Sequence, residues 1–377
     1  MFSSIRSKLA NYLRQKNRDR RTASRLRRLR VHDASSKNTR AIPEVIRQVL
    51  LISTSEGWGD SLYVAGLAHR LKENGIESVS VMTPESLLDH FDNPIFDDVW
   101  ALEREIDASL TFSPDVTVDL TYMGVRCGKE RLQLIKQLSC PVLTVSELCS
   151  KLNAYSGFIS YREKAHISER MALVLGALTH HNEKRVMPAG FASTADQTRA
   201  RETIRTLFPA KHPVRLAYLN TVARDADRCF TQSQTDTMAQ VLLKRGFDGI
   251  IVHAKVPCLT SNNRIRYLPA MTFHELTALI EQMTLVVTPD TSVTHLAAFY
   301  DIPTFVVFPP NDRDYWSEYA AKDAWGALST HSVSFSCDDA TLYIDPSGYA
   351  SVSPRACSSY TPDILSEALD QFIKAQP

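Results

Sequence analysis

Two hydrophobic periods alternate along this chain. Short, continuous apolar runs, Val49-Leu50-Leu51-Ile52-Ser53, Ser78 to Met82, Val116 to Leu120 and Val142 to Val145, read as strands buried on both faces. Between them the apolar positions fall at helical spacing, through Leu62, Ala65, Leu67, Ala68 and Leu71 and again near Lys129–Leu138. The plan then repeats. Val214 to Leu219 predicts a strand, Ser233–Arg245 a helix, Gly249–His253 a strand and Thr272–Glu281 a helix. The β-branched run Leu285-Val286-Val287-Thr288-Pro289 stops at Asp290, a helix-compatible segment starts at once, and Pro303 to Phe308 is a further apolar run. Strand, tight turn, helix, strand, repeated in both halves, predicts two mostly parallel sheets with helices on both faces.

The spaces between these elements give the domain plan. Residues 1–45 form a basic amphipathic arm, 46–180 a Rossmann-like N-terminal domain closed by a long helix from Tyr161 to Ala177, and 181–213 a polar linker holding Pro188, Gly190, Pro209 and Pro213. Residues 214–345 form a second Rossmann-like domain. The stretch Ser332–Tyr360 is rich in Ser, Asp and Pro and reads as irregular. Within the tail 346–377, the amphipathic helix Asp363 to Lys374 is expected to dock back on the N-terminal domain.

Composition changes the picture in one place. The whole chain carries a net charge of +1, yet residues 1–40 hold thirteen Lys and Arg against Asp19 and Asp33 only. A basic arm is therefore attached to an acidic body. Within the arm Phe2, Ile5, Leu9, Tyr12 and Leu13 recur at helical spacing among Arg6, Lys8, Arg14 and Lys16. That pattern suits an anionic membrane surface, or a solvated tail; nucleic acid is not expected as a partner, since nothing in the acidic body reads bases. No apolar run is long enough to span a bilayer, and no apolar h-region follows the basic start. Seven scattered cysteines without CxxC or metal-ligand spacing predict reduced thiols and a cytoplasmic protein. His180-His181 and His331 lack partners at metal spacing, Asp97-Asp98 and Asp338-Asp339 do not sit where a metal-chelated diphosphate is bound, and no metal is expected.

Candidate chemistry gathers at three turns. After the strand ending at Pro289, Asp290 is placed to cap a helix, and the amides of Thr291, Ser292, Val293 and Thr294 with their hydroxyls suit a phosphate at the positive end of the helix dipole. His295 lies on the helical face of Thr291 and either donates to that phosphate or bonds within the core. After the first strand, Glu56-Gly57-Trp58-Gly59-Asp60 combines two turn glycines with two carboxylates. Asp60 is either a helix cap or a group facing a ligand. After Leu219, Asn220-Thr221-Val222-Ala223-Arg224-Asp225-Ala226-Asp227-Arg228 offers a hydroxyl at Thr221 and cations at Arg224 and Arg228, or is simply a solvated loop.

The run Asp290 to Ala298, followed by Ile302-Pro303-Thr304 and Val306-Val307-Phe308, resembles the signature of glycosyltransferase family 9, which includes the bacterial lipopolysaccharide heptosyltransferases. Ser292 stands where that family usually has Gly. The resemblance spans roughly residues 47 to 374 and implies a GT-B fold, two Rossmann-like domains facing a cleft. It implies Asp60, from the Gly59-Asp60 pair, as general base, with Glu56, Gly57 and Gly59 on the acceptor side. It places the donor at Thr221, Arg224, Arg228 and Asp290 to His295. The implied reaction is inverting and metal-independent transfer from a nucleotide sugar, ADP-heptose, to a lipid-linked core glycan at the inner face of the membrane, with no cofactor. The same residues leave room for a catalytically silent nucleotide-sugar-binding homologue, or for a sugar-nucleotide epimerase of the same shape.

Overall fold

The computed structural model describes residues 37–54, 57–103, 113–121, 129–147, 149–160, 167–209, 215–224, 226–255, 262–307, 332–338, 341–343 and 360–375, with Ser24, Arg27, Arg30, Asp33 and Cys357. Most of the arm, including Phe2 to Lys16, and the candidate Glu56 lie outside the described residues, as does the expected helix start at 161–166. The chain divides into two compact units, residues 1–56, 67–163 and 169–185 in the first, and residues 57–66, 164–168 and 186–377 in the second.

The first unit is built on a six-stranded sheet in the order β3-β2-β1-β4-β5-β6, with every pair parallel. Its strands are β1 (Gln48–Ile52), β2 (Ser78–Thr83), β3 (Val99–Ala101), β4 (Val116–Asp119), β5 (Val142–Thr144) and β6 (Gly157–Phe158). The helices α1 (Trp58–Glu73), α2 (Lys129–Gln137) and α3 (Ile167–Thr179) connect or follow them. Leu50 and Ile52 face Leu132 and Ile135 of α2, while Val49 and Leu51 are buried on the other face. That two-sided burial is why the strands read as unbroken apolar runs.

The second unit repeats the order. Its sheet runs β13-β12-β11-β10-β7-β8-β9, from β7 (Leu216–Asn220), β8 (Gly249–His253), β9 (Ile265–Tyr267), β10 (Leu285–Pro289), β11 (Thr304–Val307), β12 (Ser332–Asp338) and β13 (Thr341–Tyr343). All pairs are parallel except β12 with β13. Successive residues feed opposite layers. Ala217, Leu219, Ile250 and Val252 pack with α5 (Gln232–Lys244) and the terminal helix α8 (Pro362–Ala375), whereas Tyr218, Ile251 and Val286 pack with α4 (Thr194–Leu207), α6 (Phe273–Glu281) and α7 (Ser292–Phe299). Both sheets thus show the doubly wound order, with a topological switch point between β1 and β4 and between β7 and β10.

Three expectations need correction. The span 181–213 is not only linker: it holds α4, which starts with a reciprocal cap between Ser193 and Asp196 and buries Ala200 and Ile204. The stretch from Ser332 is not irregular throughout, since it contains β12 and β13. The terminal helix finds its seat within the second unit rather than on the N-terminal domain. Leu365, Ala368, Leu369 and Phe372 complete the layer under α5, and Gln234 Nε2 donates to the carbonyls of Cys357 and Tyr360 at 2.9 and 2.7 Å.

Candidate active site

The switch point of the second sheet is closed by amide and hydroxyl groups. Asn220, the last residue of β7, is buried, and its Nδ2 donates to Thr288 Oγ1 at 3.0 Å and Thr291 Oγ1 at 3.2 Å. The two threonine hydroxyls meet at 3.1 Å. This bridge joins β7 to β10 at their carboxyl ends, where doubly wound sheets bind ligands. Asn220 and Thr288 were not singled out in the sequence. An amide-bearing residue ending a buried strand was the available signal.

The helix after β10 starts one residue later than the sequence suggests. Asp290 is not its cap: its amide still donates to Val307 O, so it belongs to the strand ladder. Thr291 takes the N-cap position and makes no side-chain cap bond, because its hydroxyl is engaged with Asn220 and Thr288. The start of α7 therefore keeps its positive dipole end without a capping side chain. Thr294, 4% exposed, has a buried Oγ1 with no hydrogen-bond partner among the described residues. Ser292 is partly exposed, while the Val293 side chain lies in the core, leaving its backbone as the contribution to a ligand.

Asp290 itself turns to the Thr221 loop. Arg228 Nη1 lies 3.3 Å from its Oδ2 and 3.5 Å from its carbonyl oxygen. Burial raises the Asp290 carboxyl above the ordinary carboxylate range, Arg228 pulls it down, and the charge of Asp60 pushes it up. Thr221 does not offer its hydroxyl outward: Oγ1 donates to His253 O at 3.0 Å. Arg224 is exposed on the bend before Arg228.

The glycine turn joins this site from the opposite end of the chain. Residues 57–66 cluster with the second unit, although β1 belongs to the first. Leu62 enters the core with Leu296 and Val293, and its carbonyl accepts from Ala189 N at 2.9 Å. Helix α1 starts at Trp58, so Asp60 lies in its first turn rather than capping it. A Cβ on Gly57 would touch Asp60 Oδ2 at 3.5 Å, which places the carboxylate back over the helix start. A Cβ on Gly59 would fall 2.5 Å from Cδ2 and 2.8 Å from Nε2 of His295, so only glycine admits the imidazole there. His295 also packs edge-on against Tyr63, with centroids 5.2 Å apart. The enclosure of its ring pushes its pKa down to about 4, leaving a neutral imidazole at neutral pH. Trp58 stacks on Phe273 at 3.8 Å. The glycine turn and the Asp290–His295 turn, read separately in the sequence, meet here. Among the described residues, no group of three or more His, Cys, Asp or Glu is placed to hold a metal ion.

Comparison with known proteins finds a family similarity in part of this arrangement. Residues 249–337, the segment carrying β8 to β12 and Asp290 to His295, match the model of Glycosyltransferase family 9 (heptosyltransferase). That stretch of the chain is similar to the domain of this glycosyltransferase family. Its fold is similar to the Escherichia coli ADP-heptose lps heptosyltransferase II, with 13% identity over 87% of this chain and 98% of that one and a TM-score of 0.60. It is similar too to a glycosyl transferase family 9 protein from Veillonella parvula, with 11% identity, 89% and 99% coverage and a TM-score of 0.62. The E. coli heptosyltransferase WaaC with ADP follows at 15% identity, 70% and 88% coverage and a TM-score of 0.51. Compared with curated proteins by sequence, the chain matches none. The two Rossmann-like units share the fold of these proteins.

Proposed function

We propose that this chain transfers a heptose from ADP-heptose to a lipid-linked core glycan, with inversion and without a metal or cofactor. The observation that carries the reading is the uncapped start of α7 at the switch point of the second sheet, with the Gly59-Asp60 turn packed against His295 of the same helix. The diphosphate lies on the amides of Ser292 and Val293, with Arg228 at the rim. Asp60 accepts the proton of the acceptor hydroxyl as that oxygen bonds to the anomeric carbon. The bond from that carbon to the diphosphate breaks on the opposite face. The helix amides and Arg228 take up the charge on the departing nucleoside diphosphate. The ADP-heptose assignment is supported by the family similarity and by fold relatives that are an ADP-heptose heptosyltransferase and a heptosyltransferase with ADP.

The acceptor follows from the basic arm. An enzyme working on a lipid-borne anionic glycan at the cytoplasmic face is helped by thirteen Lys and Arg in its first forty residues, each contributing about 1 kcal/mol near an anionic surface. No described helix is long and apolar enough to cross a membrane. Titration calorimetry with ADP-, UDP-, GDP- and CMP-linked sugars tests the donor assignment. Selective ADP-sugar binding that weakens in Thr291→Ala supports it. Selectivity for another nucleotide refutes the ADP assignment, and no binding to any sugar nucleotide refutes the transferase reading.

A further inference from the structure

Asp33 is one of two acids in residues 1–40, yet it is only 4% exposed. Both its carboxylate oxygens accept from consecutive backbone amides of the first unit, Oδ2 from Asn153 N–H and Oδ1 from Ala154 N–H, the latter at 3.2 Å. The chain that follows is fastened to the same edge. Asn38 N donates to Asn153 O, Asn38 Nδ2 donates to Ala154 O at 3.3 Å, and Arg40 Nη1 donates to Leu138 O at 2.8 Å. A loose tail has no use for a buried carboxylate. Removing one from water is costly unless charge-assisted bonds replace its hydration, and here two backbone amides do so.

On the other side of Asp33 its own amide donates to Arg30 O at 3.2 Å. Ser24, Arg27 and Arg30, three residues apart, are helical and all exposed, which puts two guanidinium groups on one open stripe. The stripe ends where the latch begins.

We propose that Asp33 latches the basic arm to residues 153–154, so that an anionic lipid surface gripped by the arm meets the first unit at a fixed place. The lipid partner rests on the membrane reading above; the latch does not. A flexible tether would bind vesicles equally well but leave the unit free to wander. The latch makes arm binding and orientation of the first unit one event.

Hydrogen exchange of the full chain, with vesicles of phosphatidylcholine alone or mixed with phosphatidylglycerol, separates these. In the native chain the Asn153 and Ala154 amides exchange slowly, and the mixed vesicles slow the 149–154 segment further. In Asp33→Ala both amides exchange at least about tenfold faster, as expected for lost buried hydrogen bonds. The vesicles no longer protect the segment, while cosedimentation with mixed vesicles is retained. Asp33→Asn, which keeps one accepting oxygen, falls between them and guards against a merely misfolded alanine variant. Unchanged exchange at Asn153 and Ala154 in Asp33→Ala overturns the latch. Loss of vesicle binding in Asp33→Ala overturns the separation of grip from orientation. Duplex DNA displacing the vesicles at equal phosphate overturns the choice of lipid. Undiminished vesicle binding after deletion of residues 1–32 removes the lipid partner yet leaves the exchange result, and so the latch, to stand.

Discussion

Gly59→Ala tests the junction on which the site depends. The added Cβ would lie 2.5 Å from His295 Cδ2 and 2.8 Å from Nε2. Carbon atoms in comfortable contact are about 3.5–4.0 Å apart, so the imidazole must retreat by about 1 Å or the first turn of α1 must lift. Retreat is resisted by Tyr63, whose ring stands edge-on to the imidazole at 5.2 Å. Overpacking of this kind costs about 1–3 kcal/mol. Replacing a helical glycine returns at most about 1 kcal/mol, and less in a first turn. The expected net loss is about 1–2 kcal/mol. In a His295→Ala background the obstacle is gone, and the same substitution becomes neutral or slightly stabilising. The coupling between the two positions is therefore about 1–3 kcal/mol. Since the chain forms two units, a single unfolding curve need not be two-state, and hydrogen exchange of α7 amides across the four proteins gives the local free energies. Additive effects would refute the argument, because they would mean that Gly59 and His295 do not share space.

Other consequences follow from the same geometry. Asp60→Asn should lower turnover by about 10²–10⁴-fold and leave ADP affinity intact in calorimetry, as for loss of a general base; a matching loss of affinity would make Asp60 a donor-binding group instead. Arg228→Gln removes the 3.3 Å contact to Asp290 and the charge that lowers its carboxyl, so ADP should bind about 10–100-fold more weakly, with Arg228→Lys recovering part of the loss. His295 takes up its proton near pH 4 when folded, against an ordinary value of 6.5. The unfolded chain thus binds more protons between those values, and the second unit loses up to about 3 kcal/mol as pH falls through that window. Asp290 is shifted the opposite way and recovers a part on protonation, so denaturant titrations should show a shallower slope, and in His295→Gln only the opposite contribution of Asp290 should remain. Phe372→Ala should cost the second unit about 3–5 kcal/mol in denaturant unfolding, because α8 supplies part of its core.

What the sequence made legible follows the physics of burial. Strands β1, β2, β4, β5, β7, β8, β10 and β11 lie inside their sheets and could be read as apolar runs with little ambiguity. Strands β3, β6 and β9 are two or three residues long and lie at sheet edges, where partial exposure breaks up the apolar run. Strand β12 was readable in principle, since Ser332, Ser334 and Ser336 alternate with Val333, Phe335 and Cys337, but serine-rich composition reads as loop. Helix α4 hid among arginines and flanking prolines, although Ser193 and Asp196 have capping-box spacing and Ala200 and Ile204 share a face. The apolar face of α8 announced that it must dock, but amphipathicity names a surface and not its partner. The candidate turns were visible one by one. Their meeting was not, because the complementarity of an absent Cβ and an imidazole has no local period.

The two switch points differ in a way that favours the second sheet for the proposed nucleotide. They have the same strand order, so topology alone offers two sites. At the first, Thr54 Oγ1 meets Thr121 Oγ1 at 3.0 Å, and Asp119, wholly buried, receives Arg131 at 3.3 Å and the Tyr155 hydroxyl at 2.6 Å. Arg131 is 4% exposed, so this ion pair is enclosed by the protein's own side chains, and opening it to a ligand would strand a buried charge. At the second, Arg228 is 35% exposed beside Asp290, and α7 begins without a capping side chain. A phosphate arriving there needs no ion pair broken in the interior; it supplies the negative charge that the helix end and the half-open guanidinium favour. The repeated fold is thus used in two ways, one switch point sealed by a buried ion pair and the other left polar and accessible, and that difference lies in a few side chains at strand ends rather than in the sheets themselves.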